Sequence, residues 1–169
     1  MRKRIGVVAL SLVRTGTPQQ IQAAIDQGED VNAHDKLLGW TALIYAAAYN
    51  PNPEVITVLL KAGADIKARN KDGETALMLA AQYNQNPEVI TTLLRAGADL
   101  EARDSSFGWT PLMLAASSNP NPEVITTLLK AGADARVKDS AGKTAFDYGQ
   151  DNENLQGTDA YWKLNQALY

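Results

Sequence analysis

One phrase of fourteen residues, N-P-E-V-I-T-x-L-L-[K/R]-A-G-A-D, is written three times in this chain, at 52–65, 86–99 and 121–134. Repetition this close, at a fixed period of this size, makes the chain an array of one supersecondary unit whose copies stack on one another, rather than a single irregular core. Gly28, Gly63, Gly97 and Gly132 are 35, 34 and 35 residues apart, and Thr41, Thr75, Thr110 and Thr144 are 34, 35 and 34 apart. Two markers per period imply two segments per unit.

The repeated phrase carries helix signals at both ends. Asn52, Asn86 and Asn121 can cap the free amides of a first turn, and Pro53, Pro87 and Pro122 follow where a missing N–H costs nothing. Glu54, Glu88 and Glu123 oppose the positive end of the helix dipole. Gly63, Gly97 and Gly132 stand just past the last turn, where a left-handed residue ends a helix. These helices are about ten residues long, and Val55, Ile56, Leu59 and Leu60, with their counterparts, form one apolar face that needs cover. The second segment supplies it. Thr41, Thr75, Thr110 and Thr144 are plausible caps, apolar runs follow, and the pairs Ala46-Ala47, Ala80-Ala81 and Ala115-Ala116 allow close helix approach. Between units lie Gly-Ala-Asp and a polar stretch ending in Asp-Gly or Gly-Trp, which is turn chemistry.

These residues resemble the ankyrin repeat. Its motif T-P-L-H-x-A-A…G-A-D is matched by 110–116 and 132–134 and nearly matched around Thr41 and Thr75. The resemblance covers almost the whole chain and implies an all-α ankyrin solenoid of about five helix-turn-helix units joined by extended β-turn fingers. It departs in two places. Ile44, Met78, Met113 and Asp147 replace the motif histidine, and the inter-helix turn is one residue longer than usual, which looks like bacterial members of the family.

With 169 residues and 45% hydrophobic content, the chain can bury one continuous elongated core. We read residues 1–169 as a single ankyrin repeat domain, with an N-terminal capping unit at 1–35, internal repeats at 36–70, 71–104 and 105–138, and a C-terminal capping unit at 139–169. Tyr148, Tyr161 and Trp162 are assigned to the core of that last cap. The start, Arg2-Lys3-Arg4 before the apolar run 5–13, has the look of a secretory signal. Against it, residues 6–14 align without a gap to the inner helix 41–49, and no small-residue cleavage site follows, so a capping helix is the preferred reading and a cytoplasmic location the expectation, with export as the alternative. Val7, Val8, Leu10, Leu12 and Val13 are more apolar than the exposed end of a stack requires, which leaves weak self-association through this helix as a second functional reading. An engineered scaffold would show the same internal uniformity.

Chemistry is sparse. No catalytic set can be assembled, and no cofactor is expected. His34, the one histidine, stands in a turn at the position of Arg69 and Arg103, and with no cysteine the chain cannot gather the ligands a transition metal needs. Residues 141–144, A-G-K-T, mimic the end of a phosphate loop, but Val137 stands where its first glycine belongs. A net charge of −3 without a basic stripe argues against nucleic acid.

What remains is binding to another protein through the positions where the copies differ. The repeated phrase varies at two positions only, whereas the turns 36–40, 71–74, 105–109 and 140–143 and the inner-helix ends at Tyr49, Tyr83 and Ser118 vary freely. In the ankyrin family these places line the concave groove and touch partners. The turns alternate in length, and the longer ones carry Leu37, Leu38 and Trp40, and Phe107 and Trp109. Since packed helices lie about 8–10 Å apart, two units should separate these tips by roughly 20 Å. The expectation is two aromatic prongs flanking an acidic turn of Asp72 and Glu74, with Tyr49 and Tyr83 on the groove floor. The alternative is that both tryptophans fold back as cover for neighbouring turns.

Overall fold

The computed structural model describes residues 3–4 and 7–169, and side chains from residue 10 onward. The threonine and asparagine positions that recur in phase do cap helices. The oxygens of Thr41, Thr75, Thr110 and Thr144 accept the amide three residues on, and start α3 (Ala42–Tyr49), α5 (Ala76–Tyr83), α7 (Pro111–Ser118) and α9 (Ala145–Gly149). Asn52, Asn86 and Asn121 accept from Glu54, Glu88 and Glu123, and start α4 (Pro53–Lys61), α6 (Pro87–Arg95) and α8 (Pro122–Lys130). Thr17 caps α2 (Pro18–Asp26), which follows α1 (Val7–Thr15), and Thr158 caps α10 (Asp159–Gln166). Among the described residues strand is confined to β1 (Lys3–Arg4), paired in parallel with β2 (Glu29–Asp30), and to one bridge between Arg69 and Thr75.

The helices form two rows. The inner row runs α1, α3, α5, α7, α9, and the outer row α2, α4, α6, α8, α10, each helix touching the next in its row. Ala46, Ala47, Ala80, Ala81, Ala115 and Ala116 are fully buried in the inner row. Val55, Ile56 and Leu59, and their counterparts through Leu128, are fully buried from the outer row. Leu60, Leu94 and Leu129 are only partly covered, at the margin of that face.

A line of buried asparagines runs through the stack. Nδ2 of Asn84 donates to the carbonyls of Ala47 and Asn50 in the unit before, at 2.9 Å each. Its Oδ1 accepts from the Asn86 amide at 2.9 Å. Asn50, Asn119 and Asn152 repeat the donation to Val13 and Gly16, to Ala81 and Asn84, and to Ala116 and Asn119. Each side chain thus satisfies carbonyls freed at the end of the preceding inner helix.

The two ends of the stack differ from expectation. Trp162 is 54% exposed and stands edge-on to Tyr161, so it is not cap core; Tyr161 and Tyr148 are half-buried. The reason is that α9 has five residues, and the cap is filled instead by Leu155, Ala160 and Leu164. In α1, Leu10 and Val13 are buried and Leu12 is half-buried, so part of the apolar run belongs to the stack. The side chains of Val7 and Val8, and residues 1–2 and 5–6 of the signal-like start, lie outside the described residues.

Candidate partner-binding face

Each finger is built around one polar side chain that gathers its turn. Asp35 accepts from the amides of Leu37, Leu38 and Trp40 at 2.7–2.8 Å. Asn70 accepts from Asp72 and Glu74, Asp104 from Ser106 to Trp109, and Asp139 from Ala141 and Lys143. Burial works to raise the pKa of Asp35, but the amides of Leu38, Trp40, Leu37 and Gly39 outweigh it and hold the carboxyl below its ordinary value.

The fingers bond to one another along the stack. Lys71 donates its amide to Leu38, Ser105 to Asp72, and Ser140 to Phe107, all at 2.9–3.0 Å. Arg69 and Arg103 reach forward to the carbonyls of Arg103 and Lys138, and the Lys71 ammonium reaches back to those of Lys36 and Leu37. His34, at the same position as Arg69, meets its own finger's Gly39 carbonyl through Nδ1 at 3.0 Å. The close approach needs glycine at 73: its φ is +76°, and a Cβ there would stand 2.9 Å from the Ser105 amide nitrogen.

On this frame the expected site residues separate into tips and supports. Leu37 is 80% exposed and Phe107 60%, with Leu38, Tyr49 and Tyr83 also exposed. Trp40, expected as a prong, is 7% exposed. Its ring lies 4.9 Å from Tyr45 and 6.0 Å from Tyr49, because Asp35 curls the turn back onto α3; the tip of that finger is Leu37. Trp109 is half-buried under Phe107, packed 4.4 Å from Tyr148, and donates Nε1–H to Asp139 at 3.0 Å. Asp72 is exposed, and Glu74 is half-buried with Oε2 accepting from Asn70 Nδ2 at 2.7 Å. Burial of Glu74, followed by the nearby charges of Asp72 and Asp104, raises its pKa in spite of that bond.

Sequence reasoning missed three members of this face. Arg14 places its guanidinium 4.4 Å over the Tyr49 ring, whose centroid is 5.8 Å from that of Tyr83. The signal was present, since Arg14 aligns with Tyr49 and Tyr83 in successive copies. Tyr45 backs Trp40. Tyr148 donates its hydroxyl in a short bond to Asp139, joining Trp109 on the same oxygen. Burial favours the neutral Asp139, but the Tyr148, Lys143, Ala141 and Trp109 donors keep its pKa lowered. Among the described residues no group of three or more His, Cys, Asp or Glu could hold a metal ion, and no helix is long and apolar enough to cross a membrane.

The family model described as "Ankyrin repeats (3 copies)" matches residues 9–104 and 84–158. Rat ankyrin repeat and SAM domain-containing protein 6 is 39% identical over 59 residues, which is 35% of this chain and 7% of that protein. Human mitochondrial disaggregase is 46% identical over 56 residues, 33% of this chain and 8% of the relative. Human ankyrin repeat and SOCS box protein 6 is 48% identical over 59 residues, 32% of this chain and 14% of the relative. The matched segments are thus a small share of each relative's length, and what those whole proteins do is a property of theirs.

Proposed function

The chain belongs to the ankyrin repeat family, and from that premise we propose that it is a protein-interaction module whose partner seats on the finger tips and the open ends of the inner helices. Ankyrin repeats are typically non-catalytic and bind other proteins. The observation that carries the reading is where exposed large apolar side chains fall. Five of the seven among the described residues, Leu37, Leu38, Tyr49, Tyr83 and Phe107, are on this one face; the other two, Trp162 and Tyr169, are in the C-terminal segment. Exposed apolar side chains gathered on one face mark interaction surfaces. In this proposal Leu37, Leu38 and Phe107 insert into the partner, Tyr49 and Tyr83 receive it on the floor, Asp72 and Glu74 supply charge between them, and Trp40 and Trp109 hold the tips from beneath.

A photo-crosslinking amino acid at Leu37 or Phe107 tests this against the same group at Lys61, an exposed position on the outer row. The expected result is a discrete protein adduct in source lysate from 37 and 107 and none from 61; equal labelling from all three would contradict it. Self-association through α1 is the weaker reading, because Leu10 and Val13 are spent within the stack.

A further inference from the structure

Two positions of the unit matter here: the residue before the cap threonine and the residue in the last turn of the inner helix. In the second unit these are Trp40 and Tyr49, whose rings stack at 6.0 Å and 18°. In the third unit the same positions hold Glu74 and Tyr83, and the Glu74 charge acts on the phenol where the preceding unit places an indole. In the fourth they hold Trp109 and Ser118. Tyr83 therefore has a ring partner on the Tyr49 side, at 5.8 Å, while the matching residue on its other side, Ser118, is too short to cover it.

We propose that the slot formed by Tyr83, Glu74 and Ser118 takes the guanidinium of an arginine carried on an extended segment of the partner protein. This deepens the functional reading above and rests on it. The chain holds its own precedent one unit away, where Arg14 lies 4.4 Å over Tyr49 in the same row. Charge complementarity points the same way. The two ion pairs among the described residues, Arg136–Asp134 and Lys163–Asp159, are elsewhere, and no cation of the described residues pairs with the carboxylates of Glu74, Asp72 and Asp104. Two basic side chains of the same finger are engaged: Lys71 on the carbonyls of Lys36 and Leu37, Arg69 on those of Gly73 and Arg103. A cationic ligand would therefore meet carboxylates that face no cation of the described residues. Arginine fits better than lysine, because a planar guanidinium can stack on an aromatic face while its edge donates to a carboxylate. The exposed apolar tips on either side, Leu37 and Phe107, suit a segment with apolar residues flanking that arginine.

The test uses the intact chain and the blocked peptide acetyl-Gly-Leu-Arg-Leu-Gly-amide, with citrulline in place of arginine as the uncharged isostere, followed by NMR. The arginine peptide should shift the Tyr83 ring and the Asn70 side-chain amide. Citrulline, Glu74→Gln and Ser118→Tyr should each weaken binding by about tenfold or more, since each removes or blocks a stacked or charge-assisted contact. Ser118→Tyr covers the slot without removing any buried group, so it keeps the test valid should a Tyr83 variant fold poorly. Equal affinity for the two peptides, affinity unchanged in both variants, or no shift at Tyr83 at millimolar peptide overturns the arginine slot. Crosslinks to a partner from 37 and 107 would in those cases still stand, so the two ideas fail separately.

Discussion

Asn84 illustrates how much one side chain can hold together. It bonds two carbonyls of the unit before it and one amide of its own, and is 3% exposed. Asn84→Ala leaves those groups buried without partners, so unfolding in urea should show a loss of about 3 kcal/mol. Gln85→Ala, at the neighbouring exposed position, should stay within about 0.5 kcal/mol. The asparagines at 50, 84 and 119 recur in phase with their cap threonines, and Asn152 stands one residue short of that phase; their bonding was not legible, because an asparagine at a helix end reads as a turn former until the neighbouring copy is placed against it. Asp139 makes a second prediction at this scale. Burial opposes its ionisation, but its four donors win and its folded pKa lies below the unfolded value, which is about 3.9. A depressed carboxylate contributes stability that is complete above the unfolded pKa and is lost as pH falls through the folded one. Melting temperature should therefore drop below about pH 4, and Asp139→Asn, which copies the role of Asn70 in its own finger, should flatten that acid limb. An equally steep limb in the variant would show that other carboxylates control it.

At the scale of the element, the fingers divide into tip and support, and the two longer ones do so differently. Trp40 is a buried ring on Tyr45 and Tyr49, whereas Phe107 stands out over Trp109. Trp40→Ala should cost about 3 kcal/mol through the cavity it leaves, while Phe107→Ala should change stability by no more than about 0.5 kcal/mol; thermal or urea melts of the two single variants check this, and equal losses would contradict the division. The helices themselves were legible because each boundary is set by local chemistry: threonine or asparagine caps, proline at the first position, glycine after the last turn. The orientation of a finger's aromatic ring is not local. A tryptophan in a turn has no periodicity to say which way it faces, and Trp40 faces inward because Asp35 pulls its amide back. The repeat pattern is lost after Tyr148, where α9 stops at Gly149, but nothing in the spacing says that Trp162 then lies outside the cap.

Across the whole molecule, stacking turns sequence phase into rows that run along the stack. Arg14, Tyr49, Tyr83 and Ser118 form one such row, and Trp40, Glu74, Trp109 and Lys143 another. Because every unit is stabilised mainly by its neighbours, the interior of the repeat must stay uniform, which leaves the fingers and inner-helix ends as the places where residues can be chosen for a partner. Variation among the in-phase copies, together with the ankyrin resemblance, therefore pointed to the candidate face; the identity of its protruding side chains required the folded turns. The most direct test of this account is to compare the parent chain with a Leu37→Asp/Phe107→Asp double variant, both exposed positions, by partner capture and by thermal melting together. The account predicts loss of the captured protein at an unchanged melting temperature. Full capture by the variant would contradict it, because the partner would then be seated on some other face.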